Sequence, residues 1–193
     1  MDAARRELLE QLYRDSREHD AAQADRLQRF RNVEPESAAL MAVLIKATGA
    51  QRLLEIGTSN GYSTIWLADA AAATGGRLVS VEVDPERTAL ARRNLERAGL
   101  SAELRTEDAG DTLERAEDGA WDFVFLDAER PAYASYWPAL VRTLAPSGLL
   151  AVDNVLSHEH QLVEFTAIVD ADERVTSALV PIGAGLRLIV RAP

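Results

Sequence analysis

The chain has 193 residues, of which 47% are hydrophobic and 27% charged, the balance of an ordinary water-soluble globular protein. Its formal net charge of −10 argues against a broad nucleic-acid-binding surface, because phosphate backbones are held by clustered Lys and Arg. The absence of cysteine excludes disulfides, thiolate metal sites and thiol nucleophiles. A charged N-terminus, and the lack of any apolar run near the ~18 residues that a membrane span needs, predict a cytoplasmic protein without a signal peptide.

The N-terminal segment, residues 1–34, carries a helical pattern. Over residues 4–31, apolar side chains recur among charged ones at the spacing of amphipathic helices. We expect this segment to lie on the domain, to form a lid over a site or to contact a partner subunit. The next stretch, "PESAALMAVLIKATGA", predicts a largely buried helix that starts near Pro35 and ends near Gly49.

From residue 51 onward, short apolar runs alternate with helix-length segments. The strand-like runs are "RLLEI", "RLVSVEV", "AELRT", "DFVFLD" and "LLAVDNV", and helical patterns lie near 62–73, 86–99, 109–117, 132–144 and 159–169. This order indicates an α/β fold with a mostly parallel sheet covered by helices on both faces. The last two runs, "RVTSALVPI" and "GLRLIVRA", have no helix between them and predict a C-terminal antiparallel hairpin.

The turn after the first strand, within "RLLEIGTSNGYST", has two interpretations. Its centre spells G-x-S-x-G, the pattern of a hydrolase nucleophile elbow with Ser59 as nucleophile, and acids and histidines follow it in the order of a triad. However, no strand precedes this one to build an oxyanion hole. The first strand's turn is where α/β proteins hold a cofactor, with glycines that let the backbone approach and free N–H groups at Tyr62 and Ser63. The sequence therefore favours a cofactor loop.

The motifs that this loop lacks argue against two common types of nucleotide-binding site. It has neither the G-K-[ST] of a Walker loop nor the G-x-G-x-x-G of a dinucleotide fingerprint. Glu82 ends the second strand about 20 residues further on, where an acid accepts ribose hydroxyls of NAD or of another adenosine cofactor. Asp84 is predicted to cap the helix that Pro85 begins.

Two apolar runs, "FVFLD" and "LLAVDN", end in carboxylates at what should be one edge of the sheet. Asp127, Asp153 and the Asn154 amide oxygen would give three hard ligands for a Mg²⁺-like ion. The spacing alone leaves open a second interpretation, in which Asp127 caps the next helix and Asp153-Asn154 forms an Asx turn.

Two histidines and three aromatic residues follow these carboxylates. We expect the histidines to be solvated rather than to bind metal, and the aromatic side chains to pack against the sheet, with an aromatic wall for a substrate as the alternative. The residues concerned are His158 and His160, and Tyr133, Tyr136 and Trp137.

Together these motifs resemble the class I S-adenosylmethionine-dependent methyltransferases, and more narrowly the cation-dependent O-methyltransferases of the catechol and caffeoyl-CoA type. The resemblance covers roughly residues 30–193 and is carried by "RNVEPESAALMAVLIKATGAQRLLEIGTSNGYST", "VSVEVDPE", "EDAGDTL", "FVFLDAERPAY", "LLAVDNVLS" and "VPIGAGLRL". It implies one methyltransferase domain over 1–193, with a Rossmann-like core at 35–193. That core would have seven strands, the last antiparallel.

The resemblance also implies roles for individual residues. Glu82 would bind the ribose hydroxyls, and a divalent cation (Mg²⁺, with Ca²⁺ or Mn²⁺ as alternatives) would be held by Asp127, Asp153 and Asn154. The S-adenosylmethionine site would comprise Val33, Glu55, Gly57, Ser59, Gly61, Tyr62, Ser63, Glu82, Val83, Asp108, Ala109 and Asp127. Val33 and Ser63 would meet the methionine part, and Asp108 and Ala109 the adenine. The acceptor would be a small hydroxylated aromatic molecule and the protein a homodimer.

One position departs from this family. A lysine commonly stands three residues after the first metal aspartate and is held to be the general base, but here the residue is Arg130. Arginine stays protonated and cannot be that base. Together with Asp127, Arg130 is therefore a candidate catalytic residue that stabilises an oxyanion or anchors an acidic group of the substrate. The alternatives left open are a tRNA wobble-uridine O-methyltransferase of the same fold, an NAD-dependent oxidoreductase and an inactive cofactor-binding module.

Overall fold

The computed structural model describes residues 1–193 and begins with a helix followed by an extended segment. Helix α1 spans Ala3–Ala22 and buries Leu9, Leu12 and Ser16. The predicted helical pattern continued to residue 31, but beyond α1 only one turn of 3₁₀ helix forms. The chain turns back because the Asp20 carboxylate accepts the N–H groups of Phe30 and Arg31 at 2.7 and 2.8 Å. We call residues 23–33 the strap.

Seven strands form a single sheet, as predicted. They are β1 (Arg52–Ile56), β2 (Arg77–Glu82), β3 (Glu103–Thr106), β4 (Trp121–Leu126), β5 (Leu144–Val152), β6 (Val175–Val180) and β7 (Leu186–Arg191). Their order across the sheet is β3-β2-β1-β4-β5-β7-β6. The first five run parallel, and β7 pairs antiparallel with both β5 and β6. The α/β fold with a C-terminal antiparallel hairpin is thus confirmed.

Six further helices connect or flank these strands. They are α2 (Pro35–Thr48), α3 (Tyr62–Thr74), α4 (Pro85–Arg97), α5 (Ala109–Arg115), α6 (Tyr133–Thr143) and α7 (Val163–Ala171). Asp84 caps α4 as predicted, since its carboxylate accepts the N–H of Glu86 at 2.8 Å. The last helix starts later than predicted because residues 159–161 form a separate 3₁₀ turn.

Alternation along β4 shows how the sheet builds two cores. Phe123 and Phe125 lie in the core covered by α1 to α4, whereas Val124 and Leu126 lie in the core covered by α5 to α7. All four side chains are fully buried. Burying each one stabilises the fold by about 1.5–3 kcal/mol, so β4 is fixed at the centre of the sheet with its carboxyl end leading into the site.

No helix of the protein combines the length and the apolar character needed to cross a lipid bilayer.

Candidate active site

A cavity of about 560 Å³ opens at the carboxyl ends of the parallel strands. This is the edge where open α/β sheets bind ligands, because loops after adjacent strands diverge there. Its walls come from the turns after β1, β2, β3, β4 and β5, and the strap covers one side. The predicted cofactor residues that line it are Val33, Gly57, Ser59, Ser63, Glu82, Val83, Asp108, Ala109 and Asp127.

The turn after β1 requires glycine at its first position. Gly57 has φ +106°, and a Cβ added there would lie 2.1 Å from the carbonyl oxygen of Asp127. Its N–H donates to the Val81 carbonyl at 2.9 Å, which holds the turn against β2. The glycine therefore lets the β1 and β4 loops approach each other at the floor of the cavity.

Ser59 is not placed as a hydrolase nucleophile. Its hydroxyl donates to the backbone carbonyl of Phe30 at 3.0 Å, and no histidine is hydrogen-bonded to it. Its backbone N–H donates to the Glu82 carboxylate at 2.8 Å. The residue has φ +49°, a left-handed conformation that these two hydrogen bonds hold in place. Ser59 thus joins the strap to the cofactor loop.

Three predicted cofactor residues do not line the cavity: Glu55, Gly61 and Tyr62. Glu55 is fully buried beneath the turn, where its carboxylate accepts hydrogen bonds from Thr64 and Ser80, each at 2.6 Å. Burial raises the pKa of Glu55 to about 7, although its hydroxyl partners oppose that rise. Glu55 therefore supports the loop from below.

Gly61 and Tyr62 contribute to the packing of helices behind the cavity. A Cβ on Gly61 would lie 2.9 Å from the Cα of Ala91, so the glycine allows α3 and α4 to pack closely. The Tyr62 ring is buried with its centroid 5.5 Å from that of Tyr13, which docks α1 onto α3. Both residues shape the cavity from behind its wall.

The three predicted metal ligands converge at the ends of β4 and β5. The Asn154 amide nitrogen donates to the Asp127 and Asp153 carboxylates, each at 3.1 Å. Asp153 is 1% exposed, and its Oδ1 atom has no hydrogen-bond partner. One part of the second interpretation is wrong, since Asp127 caps no helix.

Both carboxyl groups of this pair have raised pKa values. Burial, and then the negative charge of Asp127, raise the pKa of Asp153 well above its ordinary range. Burial also raises the pKa of Asp127, while the Arg31 and Arg130 guanidinium groups oppose that rise. Glu34, at the start of α2, adds further negative charge to both. A positive charge beside two buried carboxyl groups would favour their ionised form.

Arg130 lies at the same end of the cavity. Its side chain is 4% exposed, and its Nε atom donates to the Gln161 side-chain oxygen at 2.7 Å. His158 is half-buried and lines the cavity, whereas His160 is exposed as expected. We call this region, lined by Arg31, Asp127, Arg130, Asn154 and His158, the acceptor end.

The aromatic residues after β4 divide between two roles. Tyr133 and Trp137 are buried in the core, as predicted. The Tyr133 hydroxyl donates to the Ala128 carbonyl at 3.0 Å and accepts the Ala128 N–H at 3.0 Å, which fixes the loop after β4. Tyr136 instead lines the cavity beside Asp108.

Sequence reasoning missed the part of the site that the strap builds. Arg87 of α4 donates to the carbonyls of Leu27 and Arg29 at 2.6 and 2.8 Å, and Glu129 forms ion pairs with two strap arginines. The signal was present in "DRLQRFRN", whose arginines alternate with apolar residues. Their partners lie far away along the chain, so spacing did not reveal them.

The fold and cavity define an α/β protein with a nucleotide-type cofactor site at the carboxyl ends of its strands. The comparisons with known proteins specify the class further. The model of the O-methyltransferase family matches residues 2–192. The chain therefore belongs to the O-methyltransferase family.

Individual relatives agree with this assignment. The sequence is 38% identical over 130 residues to catechol O-methyltransferase of Niastella koreensis, a match that covers 65% of this chain and 58% of that enzyme. It is 37% identical over 139 residues to catechol O-methyltransferase of Mycobacterium tuberculosis, covering 71% of this chain and 61% of that one. Both matches span less than two thirds of the relative's length.

A solved structure matches over nearly the whole chain. The O-methyltransferase of Bacillus cereus, in complex with SAH, superposes with a TM-score of 0.79 at 27% identity. The superposition covers 96% of this chain and 90% of the Bacillus chain. Membership of this family excludes the alternative function of an NAD-dependent oxidoreductase.

Proposed function

We propose that the protein transfers the sulfonium methyl group of S-adenosylmethionine to a hydroxyl oxygen of a small catechol-like acceptor. A divalent cation, Mg²⁺ in the first place, would serve as template. The observation that carries the proposal is the cavity itself, which joins a cofactor loop to Asp127 and Asn154. The buried Asp153 lies behind them and is hydrogen-bonded to Asn154. The names of the Niastella and Mycobacterium relatives support a catechol acceptor.

The cofactor would occupy the part of the cavity beneath the strap. The Glu82 carboxylate would accept hydrogen bonds from the ribose hydroxyls. It is held in place because it accepts the N–H groups of Ser59 and Asp84 at 2.8 and 3.1 Å. Asp108 and Ala109 at the start of α5 would flank the adenine, beside Tyr136. The SAH in the Bacillus structure supports this choice of cofactor.

The residues at the ends of β4 and β5 fit a hard divalent cation. The unpartnered Oδ1 atom of Asp153 supports this fit, because a buried carboxylate oxygen without a hydrogen-bond donor is free to bind a cation, and the raised pKa values of both aspartates agree with it. Asp127 and Asp153 would hold the ion, and a turn of the Asn154 amide would present its oxygen. A cation held there would supply positive charge that lowers the pKa of acceptor hydroxyls close to it.

The chain's own contribution to the transfer is mainly orientation and exclusion of water. The acceptor oxygen attacks the methyl carbon, so an O–C bond forms, the C–S bond breaks and S-adenosylhomocysteine leaves, while the hydroxyl proton passes to solvent. A phenol, with a pKa of about 10, is far more acidic than water at about 15.7. The lysine base that Arg130 replaces is therefore not required. The strap shields the reacting atoms from bulk water.

The test is methyl transfer to a panel of catechols with Mg²⁺ and again with excess EDTA, followed by mass spectrometry of the products. The proposal predicts transfer that EDTA abolishes. Transfer that survives EDTA would remove the metal from the proposal, and cofactor binding without any transfer would favour the inactive module. For the tRNA alternative, a gel-shift titration at low salt should show no binding, because the net charge is −10.

The homodimer also remains a proposal. It derives from the family resemblance and would involve the N-terminal helices. The outward side of α1 is formed mainly by charged residues, so an interface there would be polar. Light scattering across a concentration series measures the assembly directly.

A further inference from the structure

The guanidinium group of Arg130 is a buried cation without a counterion. Its only hydrogen bond is the one from Nε to Gln161, its Nη2 atom is buried without a partner, and it takes part in no ion pair. A buried charged donor that lacks an acceptor is unfavourable, because it has lost its hydration without replacement. Arg130 is one of the residues that line the cavity.

The neighbouring carboxylates do not satisfy this cation. Neither Asp127 nor Asp153 forms an ion pair with Arg130, although Asp127 and Arg130 line the same cavity. Both carboxylates instead accept hydrogen bonds from Asn154. The acceptor end therefore contains a guanidinium group that no carboxylate of the protein pairs with.

Arg31 places a second guanidinium at the same end. Its backbone adopts φ +53°, and the Asp20 carboxylate holds it there through the N–H at 2.8 Å. The Arg31 Nη2 atom binds Glu129 at 2.7 Å, while its buried Nε atom has no partner. Arg31 also lines the cavity, and its bond to Glu129 places it beside the loop that carries Arg130.

We propose that Arg130, assisted by Arg31, binds a carboxylate of the acceptor, so that the preferred acceptor is a vicinal dihydroxy aromatic carboxylic acid. This inference rests on the proposed function and specifies its substrate class. The planar guanidinium fork matches a carboxylate with two parallel N–H···O bonds, and the buried setting strengthens them. The diol would lie at Asp127 and Asp153, and the carboxylate at Arg130.

The experiment compares 3,4-dihydroxybenzoate with its neutral methyl ester, using the full-length protein with Mg²⁺. We expect wild-type kcat/KM for the acid to exceed that for the ester by about tenfold or more, the size of one charge-assisted hydrogen bond. The Arg130→Gln variant should lose about 10- to 100-fold on the acid and less than threefold on the ester. Arg174→Gln, which breaks an ion pair on the far β6 side, is the matched control.

Two results would overturn the inference. One is a wild-type protein that uses the ester as well as the acid, and the other is an equal loss on both acceptors in Arg130→Gln. Calorimetric titration of the same two compounds into protein saturated with S-adenosylhomocysteine and Mg²⁺ keeps the inference separate from the reaction. Should no methyl transfer occur, the proposed function fails, and the acid-to-ester ratio of Kd values in wild type and Arg130→Gln still decides whether the carboxylate site exists.

Discussion

Replacing Glu55 by glutamine should change the pH dependence of stability in a way that the structure quantifies. Burial raises the pKa of this carboxyl to about 7 from an ordinary value of 4.5. The folded state therefore holds a proton that the unfolded state releases between these values. The stability that this proton contributes is fully present below about pH 4.5 and is lost as the pH rises through 7.

The size of the stability change follows from the shift in the pKa of Glu55. A displacement from 4.5 to about 7 corresponds to about 3 kcal/mol, since one pKa unit is worth about 1.4 kcal/mol. Glutamine copies the protonated carboxyl in shape and can still accept the hydroxyls of Thr64 and Ser80. The Glu55→Gln variant should therefore gain about 3 kcal/mol relative to wild type between pH 4.5 and pH 8.

Urea unfolding at pH 5, 6, 7 and 8 measures this difference. Titrating groups that do not interact with Glu55 affect both proteins equally, so they cancel when the two free energies of unfolding are subtracted. The exposed Glu10 offers a control, because Glu10→Gln should leave the difference from wild type flat with pH. A constant offset between Glu55→Gln and wild type across this range would refute the reasoning.

Two further substitutions test the loop and the strap. Gly57→Ala should lower stability by more than about 2 kcal/mol and abolish S-adenosylhomocysteine binding, because the new methyl group would lie 2.1 Å from a carbonyl oxygen. The control is Gly99→Ala, because Gly99 has a positive φ but open space around it. This variant should lose only about 1 kcal/mol of stability and should still bind S-adenosylhomocysteine. Equal thermal shifts in the two variants would contradict the steric argument. Glu129→Gln removes the carboxylate that two strap arginines bind, and it should speed dissociation of S-adenosylhomocysteine about two- to fivefold with less than about 1 kcal/mol lost in stability. An unchanged dissociation rate in stopped-flow fluorescence would show that the strap does not retain the cofactor.

The sheet could be predicted from sequence because most strands are short, apolar and bounded by turn residues. The β4 run is an example: from Phe123 to Leu126 its alternate side chains enter two cores, so no polar position interrupts this part of the strand. The start of β5 at Leu144 escaped prediction, since "LAPSG" contains a proline and a glycine and is typical of a turn. A register shift opposite Trp121 accommodates these residues within the strand.

The positions of candidate site residues could be predicted where a residue ends a strand or follows it directly. Asp127, Asp153 and Glu82 belong to this group, because the parallel sheet carries their backbones to a common edge. The strap could not be predicted, since its position depends on hydrogen bonds to Arg87 and Glu129, which lie 58 to 103 residues away. Nor does spacing show that Glu55 lies below the loop rather than in the cavity.

The most direct test of the account is a single turnover with isotopically labelled S-adenosylmethionine and 3,4-dihydroxybenzoate, comparing wild type with Asp153→Asn. The account predicts one labelled methyl group on a ring hydroxyl in wild type with Mg²⁺. It predicts a loss of at least about 100-fold in Asp153→Asn, which keeps the shape of the side chain but removes a charge from the proposed cation site. Binding of S-adenosylhomocysteine should be equal in the two proteins. Labelled product formed at the same rate by Asp153→Asn would contradict the claim that this carboxylate pair organises the transfer.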